Sequence, residues 1–202
     1  MNFAEIMQLI DEKNASLCLV TKNYSVEDTA DLLKKYPQIK TIAENRWPDC
    51  KEKFECFMNH EKHFIGHLQK NKVNKVVPLV DMIQSVDSIE LLKKINTAAK
   101  LNNKTLKFLF QVNISLDPKK SGIHPKNIEK IIEEFKAASF SNTKLCGLMT
   151  IGEAAETRVR RAYYKKFKSL FDSINNKYFA ASPLSLLSMG TSSDFGIALE
   201  EG

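Results

Sequence analysis

Seven short strand-like runs, each followed by a helical pattern, constrain this chain more tightly than any other feature. The runs occupy residues 15–22, 38–43, 63–68, 82–86, 106–114, 145–150 and 184–189. Between them the apolar spacing changes to the helical period. Phe3, Ile6, Met7 and Ile10 share one face of a first helix; Ile89, Leu92, Ile95 and Ala99 share another; so do Ile128, Ile131, Ile132 and Phe135, and Val159, Tyr163, Phe167, Leu170 and Ile174. Ser25-Val26-Glu27-Asp28 has the S-x-x-D form of a capping box, which predicts a helix that stops near Pro37. Trp47-Pro48-Asp49 leads into a helix over 50–58, Gln69 opens one over 69–77 that Pro78 ends, Asp87-Ser88 caps the next, and Pro125 suits a first helical turn. A last short helix runs to Gly202.

Strict alternation with short connections specifies an α/β fold with a parallel sheet. Right-handed crossovers permit either an open doubly wound sheet or a closed barrel. Polar and small residues follow nearly every strand, which favours a barrel mouth, because an open sheet concentrates its ligand contacts at one switch point. The expected architecture is a TIM-type (β/α)8 barrel in which the residues present supply seven of the eight strands. No composition shift or linker divides the 202 residues, so residues 1–202 are expected to form one domain.

Charge and cysteine usage narrow the function classes. The net charge of +6 comes from lysines interleaved with Glu and Asp on helix faces, a solvated surface rather than a nucleic-acid stripe. Arg158, Arg160 and Arg161 form a small basic cluster without the stacking aromatics that nucleic acid requires. No run approaches the roughly 20 apolar residues of a spanning helix, so no membrane partner is expected. Cys18, Cys50, Cys56 and Cys146 form no C-x-x-C pair, which suits a reducing, cytoplasmic compartment. Cys18 and Cys146 read as small apolar packing residues, with no partner histidine to activate either. His60, His63 and His67 lack an H-E-x-x-H helix or a carboxylate set, and no metal is expected; His63 and His67 would share a strand face.

Chemistry concentrates at the strand ends. Lys22 closes the first strand, and Asn45, His67, Gln69, Ser85, Asn113, Thr150, Ser188 and Thr191 are expected to face the same mouth. A lysine in such a place can attack an aldehyde and form a Schiff base. Gly190-Thr191-Ser192-Ser193 supplies small residues and hydroxyls of the kind that hold a phosphate. An amine and a phosphate cradle at one mouth suggest pyridoxal 5'-phosphate.

Four segments carry a resemblance that extends over nearly the whole chain. They are Phe64-Ile65-Gly66-His67-Leu68-Gln69-Lys70-Asn71-Lys72, Val86-Asp87-Ser88, Gly147-Leu148-Met149-Thr150-Ile151 and Leu187-Ser188-Met189-Gly190. In this order they closely resemble the pyridoxal phosphate homeostasis protein family, itself similar to the N-terminal barrel of alanine racemase, the fold-type III arrangement of pyridoxal phosphate proteins. The resemblance implies that Lys22, matching the lysine of an A-V-S-K-like strand, carries the cofactor as a Schiff base. It implies that Asn45, of the family's G-E-N motif, and His67, at the variable position of F-I-G-x-L-Q, adjoin the cofactor. Met149 and Thr150 match the G-L-M-T strand end, and Ser188, Met189, Gly190 and Thr191 match the segment that holds the phosphate. Ala43 replaces the glycine of G-E-N, Thr21 the usual serine, Asn23 a threonine and Lys62 a tryptophan. The family's eighth strand, with its Arg-Ile-Gly motif, has no counterpart before Gly202.

The function so implied is a non-catalytic, cytoplasmic pyridoxal 5'-phosphate binding protein of intracellular cofactor homeostasis, monomeric, with dependent apoenzymes as partners. The alternative is an amino-acid racemase. That reaction needs a second base, a tyrosine from a separate C-terminal β domain. Residues 1–202 contain no such domain, and Tyr24 lies only two positions from Lys22.

Overall fold

The structure, a computed structural model, describes residues 3–152 and 155–202. In chain order the elements are α1 (Phe3–Glu12), β1 (Cys18–Val20), α2 (Val26–Lys35), β2 (Thr41–Glu44), α3 (Cys50–Cys56), β3 (Glu61–Phe64), α4 (Val73–Val76), β4 (Met82–Val86), α5 (Ile89–Leu101), β5 (Leu106–Gln111), α6 (Ile128–Ala137), β6 (Thr143–Met149), α7 (Thr157–Tyr178), β7 (Leu186–Ser188) and α8 (Phe195–Glu201). All strand pairs are parallel and the sheet order is β1-β2-β3-β4-β5-β6-β7.

This sheet curls. In a flat sheet three strand spacings would separate β1 from β4 and β4 from β7, about 14 Å each. Gln84 on β4 instead lies 3.7 Å from Cys18 Sγ on β1 and accepts a 2.6 Å hydrogen bond from Ser188 on β7. The architecture is thus the expected barrel, an incomplete (β/α)8 arrangement open between β1 and β7 among the described residues.

Alternation along the strands makes two cores. Outward residues Ile42, Phe64, Ile83, Phe108, Phe110 and Leu148 join the buried helix faces, including Leu92, Ile95, Ile128, Ile132, Phe167 and Ile174, in one large cluster. Inward residues Met82, Leu109 and Met149, with Cys146 against them, form a small apolar plug inside the curl. The predicted capping box is present: Ser25 Oγ accepts from Asp28 N at 3.0 Å and Asp28 Oδ2 accepts from Ser25 N at 3.2 Å. Among the described residues, no helix is long and apolar enough to cross a membrane.

Several expected boundaries move. The third strand runs over Glu61–Phe64, so His67 and Leu68 lie beyond the ladder, and His63 and His67 share no strand face. The helix expected over 69–77 contracts to Val73–Val76 followed by a 3-10 turn, Val77–Leu79, that accommodates Pro78 at its start. In α7 the buried tyrosine is Tyr164, while Tyr163 packs at the margin and Val159 is exposed.

Candidate functional site

The mouth is built from the residues that follow each strand. Thr21 extends β1 by one ladder bond, its N–H donating to Ala43 O at 3.0 Å. Its side chain points outward beneath α3, where its hydroxyl donates to Glu44 Oε1 at 2.6 Å. Alternation then turns Lys22 to the inner face, the face shared by Cys18. Lys22 is exposed, and among the described residues its amine has no hydrogen-bond or ion-pair partner.

Asn45 follows Glu44 in the same way and faces inward. Its Oδ1 is buried without a hydrogen-bond partner, a costly state for a polar atom unless a ligand satisfies it. Its main chain is pressed against Gly66, where an added Cβ would stand 1.8 Å from Asn45 O. Glycine is required there for close approach.

Inside the curl a polar chain crosses from β7 to the barrel floor. Ser188 Oγ donates to Gln84 Oε1 at 2.6 Å, and Gln84 Nε2 donates to His63 Nδ1 at 2.7 Å. With Nδ1 accepting, the ring proton sits on Nε2, which faces Glu61 Oε1 at 3.5 Å. Lys107 Nζ donates to the same carboxylate oxygen at 2.9 Å. Burial holds the His63 pKa below its ordinary value, against the opposing pull of Glu61. Cys18 Sγ lies 3.7 Å from His63 Nδ1, so this thiol does have a histidine neighbour, contrary to the expectation from sequence. The contact does not activate it: burial pushes the Cys18 pKa up to about 12.

At the other side of the mouth, Met149 is buried in the inner plug and Thr150 Oγ1 donates to Val112 O at 2.8 Å. The Thr150 N–H binds Ser188 O at 3.0 Å, which draws the ends of β6 and β7 together. Met189 packs against the main core. Gly190 has φ 88°, and a Cβ there would stand 2.9 Å from Ala198 Cβ and 3.0 Å from Phe195 Cα. Thr191 donates through both N–H and Oγ1 to Asp194 Oδ1, at 2.6 and 2.7 Å. Tyr164 donates to Asp194 Oδ2 at 2.8 Å; burial and then this carboxylate raise the phenol's pKa. Tyr164 and Asp194 shape the loop, and the apolar period of α7, which points to Tyr163, does not single them out.

His67 stands on the far side of the mouth. It is exposed, with Nδ1 3.1 Å from Ser121 Oγ and 3.6 Å from Asp87 Oδ2. Asn113 Nδ2 donates to the carbonyls of Asp117 and Lys120 and so shapes the loop after β5. Gln69 is exposed. Ser85, expected at the mouth, is fully buried with an unpartnered Oγ; its neighbour Gln84 takes the inner position. Alternation accounts for this: Met82 and Gln84 share the inner face, which leaves Ser85 on the opposite one.

The chain matches the family described as alanine racemase, N-terminal domain, over residues 1–198. It is 36% identical over 167 residues to the pyridoxal phosphate homeostasis protein of Aquifex aeolicus, covering 81% of this chain and 72% of that one. To the protein of the same name from Synechocystis it is 32% identical over 191 residues, covering 92% and 84%. PipY of Synechococcus elongatus, solved without PLP, superposes with a TM-score of 0.86 at 25% identity, covering 100% of this chain and 94% of that one; its PLP-bound structure gives 0.83 with the same coverage. Alanine racemase of Clostridium difficile shares the fold, with a TM-score of 0.75 at 16% identity over 96% of this chain and 54% of that one. This chain belongs to the pyridoxal phosphate homeostasis protein family, built on the alanine racemase N-terminal domain.

Proposed function

We propose that this chain binds pyridoxal 5'-phosphate and serves its intracellular supply, with Lys22 as the attachment point and no catalysis of its own. The observation that carries the reading is the Lys22 amine, exposed on the inner face at the barrel mouth and unpaired among the described residues. Two further features fit the cofactor. Asn45 Oδ1 is buried with its acceptor capacity unused, and Gly190 adopts a left-handed backbone in space that no side chain can enter.

When bound, the cofactor supplies an aldehyde, the electrophile that a lysine amine captures. Lys22 offers that amine from a strand end fixed by the Thr21 ladder bond. Asn45, His67, Met149 and Thr150 are assigned to the walls around the ring, and Ser188, Met189, Gly190 and Thr191 to the phosphate side. Residues 1–202 act as one cofactor-binding domain, monomeric and cytoplasmic, that passes its cargo to apoenzymes depending on it. The homeostasis names of the relatives support the non-enzymatic reading. A racemase reading needs a second base across the mouth, and Tyr24 belongs to the same loop as Lys22, its N–H bound to Thr21 O.

Purified protein mixed with pyridoxal 5'-phosphate is expected to turn yellow and, after borohydride reduction, to carry the added mass on the peptide containing Lys22. Lys22→Ala loses both. Adducts spread over surface lysines, or none at all, overturn the assignment; racemisation of free amino acids by the loaded protein overturns the non-enzymatic part.

A further inference from the structure

Behind the mouth, on the outer side of the sheet, an ion pair is buried where apolar residues would ordinarily serve. Glu44 is 1% exposed and Lys53, from α3, is 7% exposed. Lys53 Nζ donates to Glu44 Oε1 at 2.7 Å and to Thr21 O at 2.5 Å, and the Thr21 hydroxyl donates to the same Glu44 oxygen at 2.6 Å. Three elements thus meet at one carboxylate: the end of β1, the end of β2 and α3.

Burying such a pair brings little net stability, since the desolvation of two charges offsets their attraction. Directional hydrogen bonds give what an apolar contact does not, a fixed relative position of the atoms joined. The atoms joined here belong to Thr21 and Glu44, each immediately before a residue of the mouth. Because successive side chains alternate, tying Thr21 and Glu44 outward turns Lys22 and Asn45 inward side by side. Resting on the proposed role of Lys22, we infer that Thr21, Glu44 and Lys53 form a positioning unit that holds Lys22 and Asn45 in register for capture of the cofactor aldehyde.

The unit can be removed with little loss of fold. In the double variant Glu44→Leu/Lys53→Met an apolar pair replaces the charges, Thr21 Oγ1 keeps its 3.4 Å contact to Ala43 O, and Thr21 O keeps the bond from Tyr24 N. The double variant is expected to melt near the parent temperature, while capture of pyridoxal 5'-phosphate at Lys22, measured by borohydride quenching, slows on the order of tenfold to a hundredfold, as small misplacements do. Amide exchange at Thr21, whose N–H binds Ala43 O, should accelerate at least about tenfold, while amides of β4 and β5 stay protected. Lys53→Arg, which keeps the charge and both donors, should retain most of the capture rate. Parent-like capture and parent-like exchange in the folded double variant overturn the inference. If the double variant does not fold, Thr21→Val decides: it removes only the hydroxyl, and capture slowed several-fold, restored by Thr21→Ser, supports the unit, whereas an unchanged rate overturns it. If the parent protein captures no cofactor, the role of Lys22 fails, and the exchange at Thr21 still tests the positioning unit by itself.

Discussion

Gly66→Ala tests how the mouth is assembled. The glycine follows β3 and lies flat against the main chain of Asn45, so that an added Cβ would stand 1.8 Å from Asn45 O, 2.6 Å from its carbonyl carbon and 2.8 Å from its Cα, where ordinary contact begins at 3.4 Å. All three atoms are backbone, so no side-chain rotation relieves the clash. The segment after β3 must separate from the segment after β2, which costs about 1–3 kcal/mol as overpacking. It also endangers the adjacent bond from Ile65 N to Glu44 O, 2.9 Å, worth about 1 kcal/mol. The expected loss of about 2–4 kcal/mol corresponds to about 5–15 °C in melting temperature for a chain of this size. Urea denaturation should show a lower midpoint with an unchanged slope. Displacement of Asn45 should also weaken cofactor capture at Lys22 beyond the stability effect, read at a temperature where the variant is folded. Gly196→Ala is the control: it sits in α8 with nothing within 4 Å of its Cβ, and should stabilise by about 0.5–1 kcal/mol. A Gly66→Ala protein within about 0.5 kcal/mol of the parent, with parent-like capture, would refute the reasoning.

Three other outcomes follow from the geometry. His63 is held below its ordinary pKa of 6.5, so the unfolded chain binds more protons than the native one as pH falls below that value; the stability contribution of neutral His63 is complete above about pH 6.5 and is lost on acidification, a slope that His63→Gln should reduce in denaturation measured from pH 7.5 to 5. Thiol titration at pH 8 should give one fast site, Cys56, which is exposed, with Cys18 and Cys50 slow because burial raises each to about 12 and half-buried Cys146 slowed by burial in the same direction; Cys56→Ser should remove the fast phase. Ser25→Ala removes the Ser25 half of a complete capping box on α2 and should cost about 1 kcal/mol by urea denaturation.

What the chain discloses before folding depends on which physical signal each feature leaves. The fourth strand is legible to the residue because its apolar run lies between Pro78 and the Ser88 cap. The third is displaced because apolar Ile65 and Leu68 continue after the ladder ends; apolarity reports burial, and Leu68 is buried without being a strand residue. Tyr163 and Tyr164 cannot be told apart by periodicity when both are aromatic neighbours at the margin of one stripe. Lys53 lies among Lys51, Glu52 and Glu55, a composition typical of a solvated helix, so its burial is visible only once α3 is seated against the ends of β1 and β2. Lys22 is marked in the sequence as an amine at a strand end, which with the hydroxyls of residues 190–193 suggests the cofactor, while the motifs around it carry the family resemblance that assigns one. The bond from Ser188 to Gln84 spans 104 residues of chain and is a product of the curl alone.

That bond also assigns different work to the groups proposed for the phosphate side. A hydroxyl has one proton to donate, and phosphate oxygens offer mainly acceptors. Ser188 gives its proton to Gln84, Thr150 to Val112 O and Thr191 to Asp194, so each hydroxyl must leave a partner before it can donate to an anion. For Ser188 the exchange strands Gln84 Oε1, which is buried, and an unpaired buried acceptor costs about 1–3 kcal/mol. The amides of the segment are engaged as well, Gly190 by the Tyr164 phenol and Thr191 by Asp194 Oδ1 at 2.6 Å. Gly190 alone in the segment has the left-handed conformation and lacks the side chain that would fill the approach. The hydroxyls therefore act first as internal struts that set the loop's shape.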